Sequence, residues 1–246
     1  MHRFFVEESQ ISENEIIITG LDVNHIKNVL RMKIDDKIMI SSGKTKEYTC
    51  RIEEFSDDEV VTMIEEVAEV EVELKSKIYL FQGLPKSDKM ELIIQKAVEL
   101  GAFEIIPVTM KHCVVKLDSK KEATKLKRWQ SIATSAAKQA KRMIIPKVTA
   151  VISFEQAVIQ SKELDICIMP YEKAMDINDT KEFLKKIKAG QSIGVFIGAE
   201  GGFAKEEVAL AEQNDVKTIT LGKRILRTET AGLTTLSILM FLMEES

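Results

Sequence analysis

The chain has 246 residues, room for one large domain or two smaller ones, and 45% of them are apolar, enough to fill a substantial core. Three scattered cysteines, Cys50, Cys113 and Cys167, show no CxxC or Cys/His ligand spacing, which argues against a structural zinc site or a disulfide framework and for a reducing cytoplasm. The net charge of −4 conceals a dipole along the sequence: ten acids and no Lys or Arg between Glu53 and Glu73, then 11 Lys/Arg against Asp118 and Glu122 between Lys111 and Lys147. Such a basic segment is either the footprint of phosphate binding or a solvated helix face, and charge alone does not separate the two.

The first eight residues carry too short an apolar run for a signal peptide. Short β-prone runs follow at 4–6, 15–19, 37–41, 48–55 and 59–67, separated by turn signals at 12–14, 35–36, 42–43 and 56–58. One helix interrupts them, with Asp22 as its expected N-cap and Ile26, Val29 and Leu30 as its apolar stripe. Five short strands and a helix predict a small barrel over residues 1–72. From residue 73 the pattern changes. A strand at 78–81 precedes a helix opening at 87–91, whose apolar face is Met90, Ile93, Ile94, Ala97 and Leu100 and whose C-cap is Gly101. A strand at 104–108 and a long helix over about 122–142 come next. Strands near 148, 166–169, 193–197 and 217–221 then alternate with helices near 153–161, 179–188 and 204–213. Strand–helix alternation over 73–246 predicts an α/β unit with a mostly parallel sheet and helices on both faces. The final apolar stretch, 231–243, is too short to cross a bilayer and reads as a buried helix.

Two glycine-bearing stretches in the last quarter each follow a predicted strand: Ile197-Gly198-Ala199-Glu200-Gly201-Gly202-Phe203 and Leu221-Gly222-Lys223-Arg224-Ile225-Leu226-Arg227-Thr228-Glu229-Thr230-Ala231. Loops at the ends of two strands of one sheet are where an α/β protein places a ligand, and glycine lets the backbone approach it closely. Either loop alone reads as a tight turn; the pair, with arginine, glutamate and threonines in the second, reads as a site. No GxxxxGK[ST], no GxGxxG after the first strand of the sheet and no GxSxG is present, and His2, His25 and His112 have no ligand partners near them in the sequence. Nucleotide-binding, serine-hydrolase and metal chemistry lose ground accordingly.

With these loops stand further motifs: His2-Arg3-Phe4-Phe5-Val6, the segment from His25 to Asn28-Val29-Leu30-Arg31, Lys89 to Lys96-Ala97-Val98-Glu99-Leu100-Gly101, and Arg128-Trp129 to Gln139 and Arg142. In that order, along nearly the whole chain, they resemble the ribosomal RNA small subunit methyltransferase E family of the SPOUT (trefoil-knot) superfamily, with Ile225 to Ala231 the most specific of them. One departure is Ala199, where the family usually carries proline; alanine leaves φ free there. The resemblance implies a PUA-like, RNA-binding β-barrel over 1–72, and a SPOUT α/β methyltransferase domain with a C-terminal trefoil knot over 73–246. It also implies S-adenosyl-L-methionine as cofactor, methyl transfer to N3 of one uridine of 16S rRNA in the small ribosomal subunit, a cytoplasmic homodimer, no metal and no membrane. The apolar helix at 233–243 suits such a dimer or plain core packing. Two other readings stand beside this one: a non-catalytic RNA-binding or ribosome-assembly protein on the same scaffold, and a methyltransferase acting on another RNA or on a ribose 2′-OH.

Backbone groups at Ile197, Gly198, Gly201, Gly202, Leu221, Gly222 and Leu226, with Thr228 and Thr230, are the expected cofactor contacts, joined through the resemblance by Met169 and Pro170 at a strand end. Met169 reads equally well as a core residue. N3 of uracil carries a weakly acidic proton on the pairing edge, so the base must be unpaired or flipped, and charge developing on its carbonyl oxygens needs a partner. Arg227 is the expected partner, unless it instead ties its loop to Glu229 or Glu200. Glu229 is either a proton acceptor or structural. RNA gripping falls to Arg3, Lys27, Arg31, Lys86, Lys89, Lys138, Gln139 and Arg142; Lys138, Lys141 and Arg142 crowd one helix face, as if phosphate were their missing partner.

Overall fold

A computed structural model describes residues 1–115, 117–174 and 176–244. The chain divides into two units, Met1–Glu73 with Ala137–Ile145, and Leu74–Ala136 with Pro146–Ser246.

In the first unit, β1 (His2–Phe5), β2 (Glu15–Thr19), β3 (Lys37–Ser41), β4 (Lys46–Phe55) and β5 (Glu59–Glu69) form one sheet in the order β1-β3-β4-β5-β2. Only the β1–β3 pair is parallel. The two-residue period of β2 and β3 sends Ile16, Ile18, Ile38 and Ile40 inward to meet Phe4, Cys50, Ile52 and Val60. The helix differs from expectation. Gly20, at φ +73°, precedes α1 (Leu21–Asn24), so Asp22 lies inside the first turn rather than capping it. The next turn, His25–Val29, is π-helical. A wider turn carries Val29 off the buried face, leaving it 61% exposed while Val23 and Ile26 are buried.

The Ala137–Ile145 stretch belongs to this unit through ion pairs. The Lys138 ammonium meets both Asp22 oxygens at 2.8 and 3.1 Å and stands 5.0 Å over the Phe4 ring. The Arg142 guanidinium donates to Glu73, whose Oε1 also accepts the Met143 N–H at 2.8 Å. Arg3 donates to Glu47 and, at 3.1 Å, to the Arg142 carbonyl.

In the second unit, β6 (Lys77–Gly83), α2 (Lys89–Glu99), β7 (Ala102–Thr109), α3 (Ser119–Gln139), β8 (Lys147–Val148), β9 (Ile152–Ser153), α4 (Phe154–Ser161), β10 (Ile166–Pro170), α5 (Ile177–Leu184), β11 (Ser192–Ile197), α6 (Lys205–Glu212), β12 (Val216–Ile219) and α7 (Thr228–Met243) follow in order. The last residues of α3 fall in the first unit. Every strand pair is parallel, in the order β12-β10-β11-β6-β7-β8, with β9 also on β7. The inner strands β6 and β11 are buried almost throughout, as parallel strands are when both faces are covered. Phe81 stacks on Phe196 at 4.5 Å, and Phe154 meets Phe196 edge-on at 5.9 Å. On α2, Met90, Ile93, Ile94, Ala97 and Val98 are buried, and Gly101 at φ +85° ends the helix as expected. Helix α7 is only partly the buried helix expected, because Phe241 and Leu242 stand 79% and 40% exposed. Among the described residues no helix is long and apolar enough to cross a membrane.

Candidate active site

The carboxyl ends of β10, β11 and β12 open into a cavity of about 440 Å³. Its walls are the turn after β11, the segment between β12 and α7, and the start of α2. Close packing of backbone makes the first wall possible. A Cβ on Gly83, at the end of β6, would stand 2.6 Å from the Ala199 nitrogen, so only glycine lets the turn lie against that strand. The turn closes through the Gly202 N–H, which donates to the Ala199 carbonyl at 2.9 Å with Gly202 at φ +65°.

A chain of buried hydrogen bonds joins the walls. Gln82, fully buried at the end of β6, donates to the Gly83 carbonyl and to Thr228 Oγ1, both at 2.9 Å. Thr228 in turn donates to the Gly198 carbonyl at 2.6 Å. The β11 turn and the first residue of α7 are thereby tied to the centre of the sheet.

Charge gathers at the α2 side. The Lys89 ammonium lies 3.4 Å from Glu200 Oε1 and 3.2 Å from Glu229 Oε2. Burial pushes the Glu229 carboxyl up, but its own backbone N–H at the start of α7 and the Lys89 ammonium outweigh this and hold it below the usual carboxylate range. Glu200 is likewise pushed up by burial and held lower on balance by the Lys86 N–H, at 3.0 Å, and by Lys89. Arg227 occupies the N-cap position of α7, is exposed, lines the cavity and has no carboxylate within 4.0 Å among the described residues.

Of the residues expected to contact a cofactor, Pro170, Ile197, Gly198, Gly201, Gly202, Leu221, Gly222, Leu226 and Thr228 line this cavity. Met169 and Thr230 do not: Met169 is buried in the core and Thr230 is exposed on α7. Thr228 lines the wall, but its hydroxyl is spent on Gly198 and Gln82. Glu229 stands behind Lys89 rather than in the lining. Among the residues expected to grip RNA, Arg3 and Arg142 require correction. They are 8% and 6% exposed, and their guanidiniums are committed to Glu47 and Glu73, so the partner missing from the sequence pattern is carboxylate rather than phosphate. Lys138 is likewise paired, with Asp22. Lys27 donates to the Ser56 carbonyl at 2.8 Å, while Arg31, Lys86 and Gln139 are exposed and Lys89 lines the cavity. Tyr171, Glu172, Phe203, Thr220 and Arg224 also line it without having been expected as contacts, and so does Glu200, which the sequence offered only as a tie for Arg227. Gln82 was missed too, although one amide ending the apolar run Ile78-Tyr79-Leu80-Phe81 is itself a signal.

The fold has counterparts of known class. Residues 72–240 match the RNA methyltransferase domain family, and residues 18–63 match the RNA methyltransferase PUA domain. The ribosomal RNA small subunit methyltransferase E of Bacillus subtilis is 39% identical over 98% of this chain and 96% of its own, and that of Mesomycoplasma hyopneumoniae is 36% identical over 95% and 96%. The crystal structure of a ribosomal RNA small subunit methyltransferase E from Neisseria gonorrhoeae bound to S-adenosyl methionine superposes with a TM-score of 0.84, at 31% identity and 98% coverage of both chains. The chain belongs to the ribosomal RNA small subunit methyltransferase E family.

Proposed function

We propose that the protein transfers a methyl group from S-adenosylmethionine to N3 of one uridine of 16S rRNA. One observation carries the reading: a cavity between two glycine-bearing turns has in its wall a guanidinium, Arg227, with no carboxylate within 4.0 Å among the described residues. The residues present fit the cofactor. About 440 Å³ lies within the usual range for small-molecule sites. A Cβ on Gly202 or Gly222 would meet no protein atom within 4 Å, so the backbone there is open to a ligand. Ile197, Leu221 and Leu226 offer apolar contact for an adenine, and Glu172 suits a cationic molecule. Pro170, Ile197, Gly198, Gly201, Gly202, Leu221, Gly222 and Leu226 would hold it, with Thr228 fixing two of the walls to each other. When bound, S-adenosylmethionine supplies a methyl group on a positively charged sulfur, so that the N–C bond forms as the C–S bond breaks and a neutral thioether leaves.

The protein's own work is to admit an extruded uracil, let its N3 proton pass to water, and neutralise charge developing on the ring oxygens. Arg227 does the last of these, because a guanidinium with no carboxylate within 4.0 Å among the described residues keeps its donors for the base. The same reading includes RNA contact by Lys27, Arg31, Lys86 and Gln139, with residues 1–72 as RNA-binding domain and 73–246 as methyltransferase domain. It also includes a homodimer through α7, where Phe241 and Leu242 are exposed, a trefoil threading of the chain after β12, and action in the cytoplasm. The test is to incubate the protein with methyl-labelled cofactor and small subunits lacking the modification, then map the label. A single uridine labelled at N3 is expected; label on a ribose, on another base or on no RNA overturns the proposal.

A further inference from the structure

Lys89 carries more than the methyl-transfer reading uses. An ammonium has three donors. Two face carboxylates, Glu200 at 3.4 Å and Glu229 at 3.2 Å, and Lys89 itself lines the cavity, which leaves one donor for what fills it. Both carboxylates are held ionised by their surroundings, so together they fix a charged lysine in place. Its place in the sheet matters. Lys89 follows β6 and Glu200 follows β11, whereas Thr220 and Leu221 follow β12. In the order β12-β10-β11-β6 the two ends are three strand spacings apart, about 14 Å. Lys89 and Glu200 therefore line the cavity at its β6 and β11 side, across from Thr220 and Leu221.

Two carbonyl oxygens flank N3 of a uracil, and Arg227 can serve one. We propose that Lys89 is a second catalytic residue, donating a hydrogen bond to the other oxygen of the acceptor pyrimidine. The proposal rests on the methyl-transfer reading. As the N3–carbon bond forms, the N3 proton passes to water and the carbon–sulfur electron pair leaves on sulfur. Negative charge spread from N3 onto both oxygens during that displacement is met by one cation each. Glu229, behind the lysine, is then a positioning residue rather than the base.

The test compares Lys89→Met and Lys89→Arg with wild type. S-adenosylmethionine binding is read by calorimetry, binding of a 16S fragment by anisotropy, and methyl transfer in single turnovers. Lys89→Met is expected to lose about 100-fold or more in single-turnover rate, with both dissociation constants within about twofold of wild type and Lys89→Arg recovering at least a tenth of the rate. Because Lys89→Met strands Glu229, Lys89→Met/Glu229→Gln is made alongside and carries the test if the single variant melts early. The decisive arm replaces the target with 5-fluorouridine, whose N3 is more acidic and needs less help at its oxygens. There the Lys89→Met defect is expected to shrink at least tenfold, which a merely structural lysine would not produce. Wild-type turnover in Lys89→Met, an undiminished defect on 5-fluorouridine, or a tenfold loss of cofactor affinity (the oxygen then being the cofactor's carboxylate) each overturns the assignment. Wild-type protein that methylates no uridine overturns the reaction itself, separately from the role of Lys89.

Discussion

Arg227 and Glu229 are two residues apart at the head of α7, yet their environments differ. Arg227 is exposed, lines the cavity and has no carboxylate within 4.0 Å among the described residues. Its truncation to alanine removes no contact that the fold uses, so folding and cofactor affinity are expected to stay near wild type while single-turnover methyl transfer falls by about 10²–10³. Wild-type turnover in that variant contradicts the role. Glu229 Oε2 is fully buried and makes no well-aligned hydrogen bond; the Lys89 ammonium 3.2 Å away holds it by charge. A carboxylate kept below its usual range is a weak proton acceptor. Its depressed folded value means that the fold favours the ionised form. That contribution is complete at neutral pH and is lost as pH falls from the unfolded value of about 4.3 through the lower folded one. Melting curves of wild type and Glu229→Gln are therefore expected to differ most near pH 6–7 and to converge below about pH 4; a gap that persists undiminished at pH 3 contradicts the account.

Among elements, one glycine is required where backbone meets backbone, and another could carry a side chain. At Gly83 a Cβ meets backbone, the Ala199 nitrogen at 2.6 Å, and backbone cannot rotate away. Gly83→Ala is expected to destabilise by about 1–3 kcal/mol, the usual cost of overpacking, and to weaken cofactor binding because the turn is pushed off its strand. At Gly232, inside α7, a Cβ finds Gln82 Oε1 at 3.5 Å and Ile197 Cγ1 at 3.7 Å, ordinary contacts. Gly232→Ala is expected to stabilise by about 0.5–1 kcal/mol through helix propensity, read as a higher midpoint in denaturant with unchanged slope. These two glycines also show what a sequence exposes. Gly198, Gly201, Gly202 and Gly222 were legible because they cluster after apolar runs, and the parallel sheet was legible because its strands alternate with helical periods. Gly83 was not singled out, since its constraint comes from a turn more than a hundred residues away that no local pattern records. The π-helical turn at His25–Val29 escaped for a related reason: the spacing of Ile26, Val29 and Leu30 suits an ordinary helix, and only packing against the sheet decides which of them is buried.

For the whole molecule, the least legible feature is that the first unit is discontinuous. The sequence from Lys111 to Lys147 reads as one basic tract, yet its parts have different partners: Arg128 pairs with Glu91 on α2, while Lys138 and Arg142 pair with Asp22 and Glu73 of the first unit. The acidic run that ends at Glu73 and this basic tract are in part the two halves of internal ion pairs, which summed charge cannot reveal. Arg142→Ala tests the point. Arg142 is 6% exposed, and Glu73 takes its guanidinium together with the Met143 and Ile144 N–H groups. The substitution takes the guanidinium from a largely buried carboxylate and leaves it the two backbone donors, at a cost of about 2–4 kcal/mol. The first unit is then expected to melt earlier and to become susceptible to limited proteolysis. A guanidinium buried against carboxylate neutralises no phosphate, so below that melting temperature the slope of log affinity for rRNA against log salt stays at the wild-type value. The exposed Arg31 gives the contrast: Arg31→Ala is expected to flatten the slope by about one unit with little change in melting. A flattened slope in Arg142→Ala at intact stability would return this arginine to the RNA face and undo the ion-pair account of the first unit.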